Sequence, residues 1–430
     1  MKTPANHVDS WYAASAKPHP QFPSLQGATT TDVCVIGGGY TGLSTAIHLR
    51  KLGFDVTLLE AHRVGWGASG RNGGHVGTGQ RAGQDQLEKW MGLDNAKALW
   101  RLGLDAVDLV TDLINEFNID CELGAGNLHI AAKASHAREL AEEVEHLQSV
   151  YGYQDIQYLD QRGLAELTSA SGGFGATLDL GARHLHPLKY AFGLAAAAKT
   201  LGAQIFEQSP ATSYKEQGDR ICVNTPSGEV NARFLVLACN GYLGKLERRI
   251  AGNIMPINNF VIATESLTPA LQKRITRDNH SLSDTLFVIN YWKLSASGRL
   301  LFGGGENYTS TFPSDIKAFV RPYMLKRYPE LADVKIDYGW GGTLGITMNR
   351  MPDFGRIGRR IFYAQGFSGH GVPTATLAGQ LLASAIYGDT ERFDLMSSVP
   401  THRFPGGTLL RWPGLVAGML FYSLLDRFGR

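Results

Sequence analysis

The chain has 430 residues, 43% hydrophobic and 19% charged, with a formal net charge of +2. That length implies two domains, each with a substantial core, while the near-neutral balance gives no electrostatic footprint for nucleic acid. The four scattered cysteines, Cys34, Cys121, Cys222 and Cys239, contain no CxxC pair, so neither a disulfide framework nor a metal site is expected.

The first thirty residues are polar and contain prolines but no apolar run for a secretory leader, so a cytoplasmic location is the default expectation. The run 33–36 then reads as a buried parallel strand, followed by a helix over about 42–51 and a strand over 55–59, a βαβ unit within about thirty residues. The three glycines of Gly37-x-Gly39-x-x-Gly42 supply a tight turn, room for a pyrophosphate against backbone, and close packing of helix on strand. The helix start beyond them faces the phosphates with its positive end. Glu60 closes the second strand, where a carboxylate grips ribose hydroxyls and repels a 2′-phosphate. This unit alone suits NAD as well as FAD.

Glycine is the compositional outlier, with 51 residues gathered in a few blocks. The second block, Gly67-Ala68-Ser69-Gly70-Arg71-Asn72-Gly73-Gly74, is either a simple turn or a segment running back along an extended dinucleotide, with Ser69 and Arg71 available to it. Residues 84–118 show helical periodicity, then GNLHIAA reads as a strand and HARELAEEVEHL as a helix. That block has no nucleotide-binding glycines and reads as an insertion. After His186-Pro187 an alanine-rich helix leads into strands at AQIFE, RICVNT and ARFLVLAC, the last ending in Asn240-Gly241-Tyr242 and rejoining the first sheet.

Over 255–350 the β-prone runs FVIATE, LFVINYWKLS and RLLFGGG alternate with turns, the pattern of an antiparallel sheet carrying a pocket. A strand, the third glycine block Gly366-Phe367-Ser368-Gly369-His370-Gly371-Val372 and a helix follow, whose start can stabilise negative charge on a ligand. The apolar run in RWPGLVAGMLFYSLLDRFGR is too short to span a membrane; it either packs on the body or makes peripheral membrane contact. The expected fold is α/β: a discontinuous Rossmann-like nucleotide domain from 1–85, 155–245 and 351–395, a second α+β substrate domain on a mostly antiparallel sheet from 86–154 and 246–350, and a tail at 396–430.

The segments GGGYTG, LLEAHRVGWGASGRNGG and QGFSGHGV, in this order and spacing, resemble the D-amino-acid-oxidase-like superfamily of FAD-dependent amine oxidoreductases. SWYAASA, HLHPLKYA, FGGGE, NRMPDFGRIG and ERFD with FPGG are similar to its gamma-glutamylputrescine oxidase family, nearly end to end. The resemblance implies FAD as cofactor, held by Gly37, Gly39, Tyr40, Thr41, Gly42, Glu60, Ala61 and Arg63, with the ring along Gly67 to Gly74 and at Gly241, Gly366, Ser368, Gly369, His370, Gly371 and Val372. Ala211, on a QSPATS strand, matches the position whose backbone meets the adenine.

The resemblance also implies oxidation of an amine, with a small-molecule amine substrate and dioxygen or another electron acceptor as partners. The chemistry of a flavin belongs to the cofactor, which accounts for the absence of a nucleophile triad or acid pair. Apolar aromatic walls favour the neutral amine that reacts; Tyr291, Trp292 and Trp340 are the candidates. His75 is placed to tune the ring or assist a proton transfer, and Lys293 to lie over the ring as a cation. The RLLFGGG strand lacks the lysine by which some relatives activate oxygen. Two other functions remain open on the sequence: a flavin dehydrogenase of another amino acid or N-methyl amine donating to a quinone, and a flavin-binding partner without turnover.

Overall fold

The computed structural model describes residues 6–286, 288–307 and 311–408, apart from the side chains of 306 and 307. The apolar run of the C-terminal tail lies outside the described residues. Among those described, no helix is long and apolar enough to cross a membrane.

The run VCVI forms the end of strand Gly27–Ile36, paired in parallel with Val56–Leu59 on one side and Gly228–Leu237 on the other. Gln204–Phe206 extends the sheet beyond Val56–Leu59, and Ile361–Gln365 with Asp353–Ile357 extends it beyond Gly228–Leu237. Residues 33–36 of this strand are apolar without alternation because both faces are covered there. Val33 and Val35 pack under the helices Tyr40–Lys51, Pro187–Thr200 and Gly371–Tyr387, while Cys34 and Ile36 face a second cluster containing Ile221 and Val223. Helices Tyr40–Lys51 and Gly371–Tyr387 cross closely: a Cβ on Gly379 would lie 2.5 Å from the Ser44 Cβ, and Ser44 Oγ donates to the Thr376 carbonyl at 2.6 Å.

The second sheet runs in the order Ile336–Ile346, Met255–Ser266, Arg299–Asn307, Tyr291–Leu294, Ser281–Asp284, Gly124–Ile130, Ala176–His184, His75–Val76, with Ile156–Leu159 also on Ala176–His184. Its pairings are antiparallel except between Ser281–Asp284 and Gly124–Ile130. The α/β architecture with a mostly antiparallel second sheet is therefore as expected. The segment boundaries differ. Of the stretch 155–245 assigned to the nucleotide domain, Ile156–Leu159 and Ala176–His184 belong to the second sheet, as does His75–Val76 from within 1–85. The expected insertion contributes Gly124–Ile130 to the interior of that sheet.

Candidate active site

The carboxyl ends of the parallel strands, where an open α/β sheet binds its ligand, face the second sheet across an elongated cavity of about 810 Å³. Gly37, Gly39, Tyr40 and Thr41 line it beside the strand Gly27–Ile36. Gly37 has φ +116°, and a Cβ there would sit 2.6 Å from the Ala238 carbonyl oxygen. Helix Tyr40–Lys51 begins at Gly39, which supplies no side-chain cap, so beyond Tyr40 N its first-turn amides have no capping side chain at the cavity end. Gly42 does not line it; a Cβ there would meet the Gly37 carbonyl oxygen at 1.9 Å, so its place is between helix and turn.

Glu60 and Ala61 line the cavity at the end of the neighbouring strand. Glu60 accepts from Gly38 N at 2.7 Å and His62 N at 2.8 Å, and burial outweighs these bonds to push its pKa up to about 7. Arg63 turns away from the cavity into an ion pair with buried Glu207 at 2.6 Å, contrary to the cofactor role expected of it. Ala211 does line the cavity, from a loop rather than a strand.

In the second glycine block Gly67, Ala68, Ser69, Arg71, Asn72 and Gly73 line the cavity. Ser69 Oγ accepts from Tyr40 N at 3.1 Å, and the Tyr40 hydroxyl donates to the Ser69 carbonyl at 2.6 Å, fastening the block to the helix start. Asn72 donates to the Ala68 and Ser69 carbonyls and accepts from Gly74 N at 2.7 Å, so its amide shapes the loop. Arg71 lies 4.2 Å from the Trp66 ring centroid and donates to the Trp66 and Gly341 carbonyls, leaving buried Nη2 without a partner. Gly70 and Gly74 are packing glycines instead of ligand contacts, since a Cβ would strike the Gly65 and Leu185 carbonyl oxygens.

Ser368, Gly369, His370, Gly371 and Val372 line the far side. Helix Gly371–Tyr387 begins at His370, again without a side-chain cap. Burial, with Arg81 adding like charge, lowers the His370 pKa to about 4, and its Nε2 has no partner. Gly366 and Gly241 lie off the cavity: Gly366 donates to Asn240 Oδ1 at 2.8 Å, and Gly241 packs on Leu344 and Gly345.

Of the expected catalytic residues, His75 and Tyr291 line the cavity with their rings edge to face at 5.7 Å. Tyr291 donates to Asn259 Oδ1. Burial pushes the His75 pKa down to about 4, and its Nε2 lies 3.1 Å from the Leu282 carbonyl. Trp292 and Trp340 are not walls. Strand alternation turns Trp292 to the opposite face from Tyr291, where it stacks on Phe302 and donates to the Tyr328 hydroxyl at 2.9 Å. Trp340 packs on Tyr12 and donates to the Arg71 carbonyl at 3.0 Å, so it supports the loop from behind. Lys293 lies behind Gly74 and off the lining, with burial lowering its pKa to about 8.

Sequence reasoning missed Asn127, His129 and Ser283, which line the cavity from the second sheet, and Arg81 beside the third block. The period-two spacing of Asn127 and His129 in GNLHIAA carried the signal, but only for a strand placed inside that sheet. It also missed Trp66, stacked on His62 at 3.9 Å, and Cys239, a half-buried thiol that borders the cavity.

Two helix starts without an N-cap side chain, a carboxylate on the strand beyond the first of them, and the lining residues Arg71 and His370, whose buried Nη2 and Nε2 have no partner, fit the phosphates, ribose and polar ring edge of a flavin dinucleotide. The family of FAD dependent oxidoreductases designated DAO matches residues 32–385. The chain is 40% identical to gamma-glutamylputrescine oxidoreductase of Escherichia coli (strain K12), covering 98% of this chain and 99% of that protein. It is 39% identical to the probable oxidoreductase OrdL of Rhizobium meliloti (strain 1021), covering 99% of each. In fold it is similar to glycine oxidase from Geobacillus kaustophilus, with a TM-score of 0.74 at 20% identity over 87% of this chain and 99% of that one. The chain belongs to the DAO family of FAD dependent oxidoreductases.

Proposed function

We propose that the chain oxidises gamma-glutamylputrescine at the carbon bearing its primary amine, yielding gamma-glutamyl-aminobutyraldehyde and ammonia. The observation that supports this reading is the end-to-end likeness to the Escherichia coli gamma-glutamylputrescine oxidoreductase. A bound flavin would supply the acceptor for a hydride from the amine-bearing carbon, with the two electrons going on to dioxygen, giving hydrogen peroxide, or to another acceptor. Water adds to the resulting imine and expels ammonia.

In this reading the first helix start and Gly37 to Thr41 hold the pyrophosphate, Glu60 the ribose and Ala211 the adenine. The segments 67–73 and 368–372 flank the ring. Low polarity around His75, His129 and His370 keeps each imidazole neutral, with pKa values of about 4. The same surroundings disfavour an ammonium, so the substrate nitrogen enters with its lone pair free. His75 Nε2 faces the Leu282 carbonyl, which only accepts, so Nε2 carries the hydrogen of the neutral ring. Tyr291, held by Asn259, gives the substrate carbon a fixed apolar face.

Purified protein is expected to be yellow, to bleach when gamma-glutamylputrescine is added without air, and to regain colour in air. Bleaching by other amines alone would discard this substrate and keep the chemistry. A flavin that stays oxidised with every amine would overturn both.

A further inference from the structure

The second sheet turns a polar face to the cavity. Asn127, His129, Thr177, Ser283 and Tyr291 line the cavity from its strands, while Leu128, Leu178, Leu282 and Trp292, which alternate with them, fill the core behind. Register sets four of the lining residues in one row across the strands: Tyr291 opposite Ser283, Ser283 opposite His129, and His129 opposite Thr177. Tyr291 begins the row against the second glycine block, since a Cβ on Gly73 would lie 2.5 Å from its ring. Each further strand adds about 4.8 Å, so His129 stands about 10 Å from Tyr291, leading away from the proposed ring site.

Within this row His129 Nδ1 lies 2.8 Å from Ser283 Oγ. Among the described residues neither side chain makes another hydrogen bond, and both are half-buried. A neutral imidazole carries one N–H and one lone pair, and a hydroxyl carries one O–H and lone pairs. Whichever of the two donates, the pair keeps one donor and one acceptor for the cavity. Burial holds His129 in that neutral form, with a pKa of about 4. Asp179, which lines the cavity on the strand that carries Thr177, accepts from Thr78 Oγ1, the Tyr153 hydroxyl, Gly181 N and Ala182 N. Its oxygens are fully engaged, so an ammonium brought here gains no carboxylate.

A secondary amide presents the set that matches the pair, one N–H and one C=O. The spacing agrees. In an N-acylated four-carbon diamine, the four bonds from the amine-bearing carbon to the amide nitrogen span about 5 Å when extended, which brings the amide to Ser283 and His129 with the reacting carbon against Tyr291. We infer that Ser283 and His129 receive the amide of an N-acylated diamine and set the preference of the site for acylated over free diamines. The inference rests on the amine-oxidising reading above and specifies what the middle of the substrate must carry. A free diamine would leave the pair unmatched and set its second ammonium beside it.

Anaerobic reduction of the flavin-loaded protein, followed by stopped-flow absorbance, tests this with gamma-glutamylputrescine, N-acetylputrescine, putrescine and 1-aminoheptane; the last matches N-acetylputrescine in length and lacks the amide. Putrescine should need at least about tenfold more than N-acetylputrescine for half-saturation. Ser283→Ala and His129→Leu should each raise the half-saturating concentrations of the two amides about tenfold relative to that of 1-aminoheptane, with a smaller change in the limiting rate. Ser283→Thr, which keeps the hydroxyl, should recover most of that ratio. Retention of the flavin spectrum shows that each variant is folded. Putrescine saturating as readily as N-acetylputrescine, a loss shared equally by 1-aminoheptane, or ratios that survive both Ser283→Ala and His129→Leu would overturn the assignment. Reduction by N-acetylputrescine that depends on the pair, without reduction by gamma-glutamylputrescine, discards that substrate and keeps the amide site; reduction by gamma-glutamylputrescine that is indifferent to both substitutions does the reverse.

Discussion

Glu60 shows how burial and hydrogen bonding compete at one carboxyl group. The backbone amides of Gly38 and His62 stabilise its anion, yet desolvation is the larger effect and holds the pKa at about 7. In the proposed grip on the ribose it must be ionised to accept two hydroxyls, so FAD affinity should rise with pH. Between about pH 6 and about pH 8 the ionised fraction grows about tenfold, and the dissociation constant of the apoprotein should fall by a similar factor. Quenching of flavin fluorescence measures it, and Glu60→Gln should give weaker binding with no such dependence. The position of this acid after a glycine turn was readable in the sequence. Its raised pKa was not, because that depends on neighbours such as Glu207, far along the chain.

At the scale of one element, the strand Tyr291–Leu294 separates what a string of aromatics cannot. Tyr291 faces the cavity, whereas Trp292 is wholly buried in the core of the second sheet. Trp292→Ala should therefore destabilise the protein by about 3–5 kcal/mol, seen as a lowered thermal midpoint. Tyr291→Phe keeps the ring and loses the bond to Asn259, and should change the rate of flavin reduction more than the midpoint. The sequence marked all of these aromatics alike, since parity has meaning only once one face of the strand is assigned to the pocket.

The first helix offers a contrast between two glycines. Gly42 has no room for a methyl group because the Gly37 carbonyl oxygen would lie at 1.9 Å, and both partners are backbone. Gly53 sits at φ +86° with open space around it. Gly42→Ala should cost more than about 2 kcal/mol and yield protein poor in flavin, whereas Gly53→Asn should cost less than about 1 kcal/mol. Denaturant midpoints and flavin content together distinguish steric from conformational loss. The fingerprint spacing around Gly42 announced this packing in advance; the matching contact of Gly379 on Ser44, between helices more than three hundred residues apart, had no local signature.

For the whole molecule, the distribution of histidines sets the acid limit of stability. Burial lowers His7, His48, His75, His129 and His370 to about 4 and His184 and His186 to about 3. The unfolded chain takes up their protons from its ordinary histidine value downward, so unfolding binds protons in that window. Stability is then fully present above about pH 6.5 and is lost as pH falls toward about 4. The thermal midpoint should begin to fall just below neutrality and drop steeply over this interval. Two sheets were legible from the alternation of nucleotide and substrate segments. The substrate-domain place of Gly124–Ile130 was legible too, but the exchange of Ala176–His184 into the second sheet was not, because pairing between distant segments leaves no trace in either one.

The strand Gly228–Leu237 lies between Gly27–Ile36 and Ile361–Gln365, pairing in parallel with both. During synthesis, Gly27–Ile36 leaves the ribosome about two hundred residues before its neighbour on that side exists. Even then, Leu235, Val236 and Leu237 present an apolar free edge until the residues around 361–363 emerge. The nascent chain thus carries sticky, half-built sheet through most of its translation. High contact order makes closure slow, and chaperones that shield strand edges should govern the yield of soluble protein more than any substitution at the site.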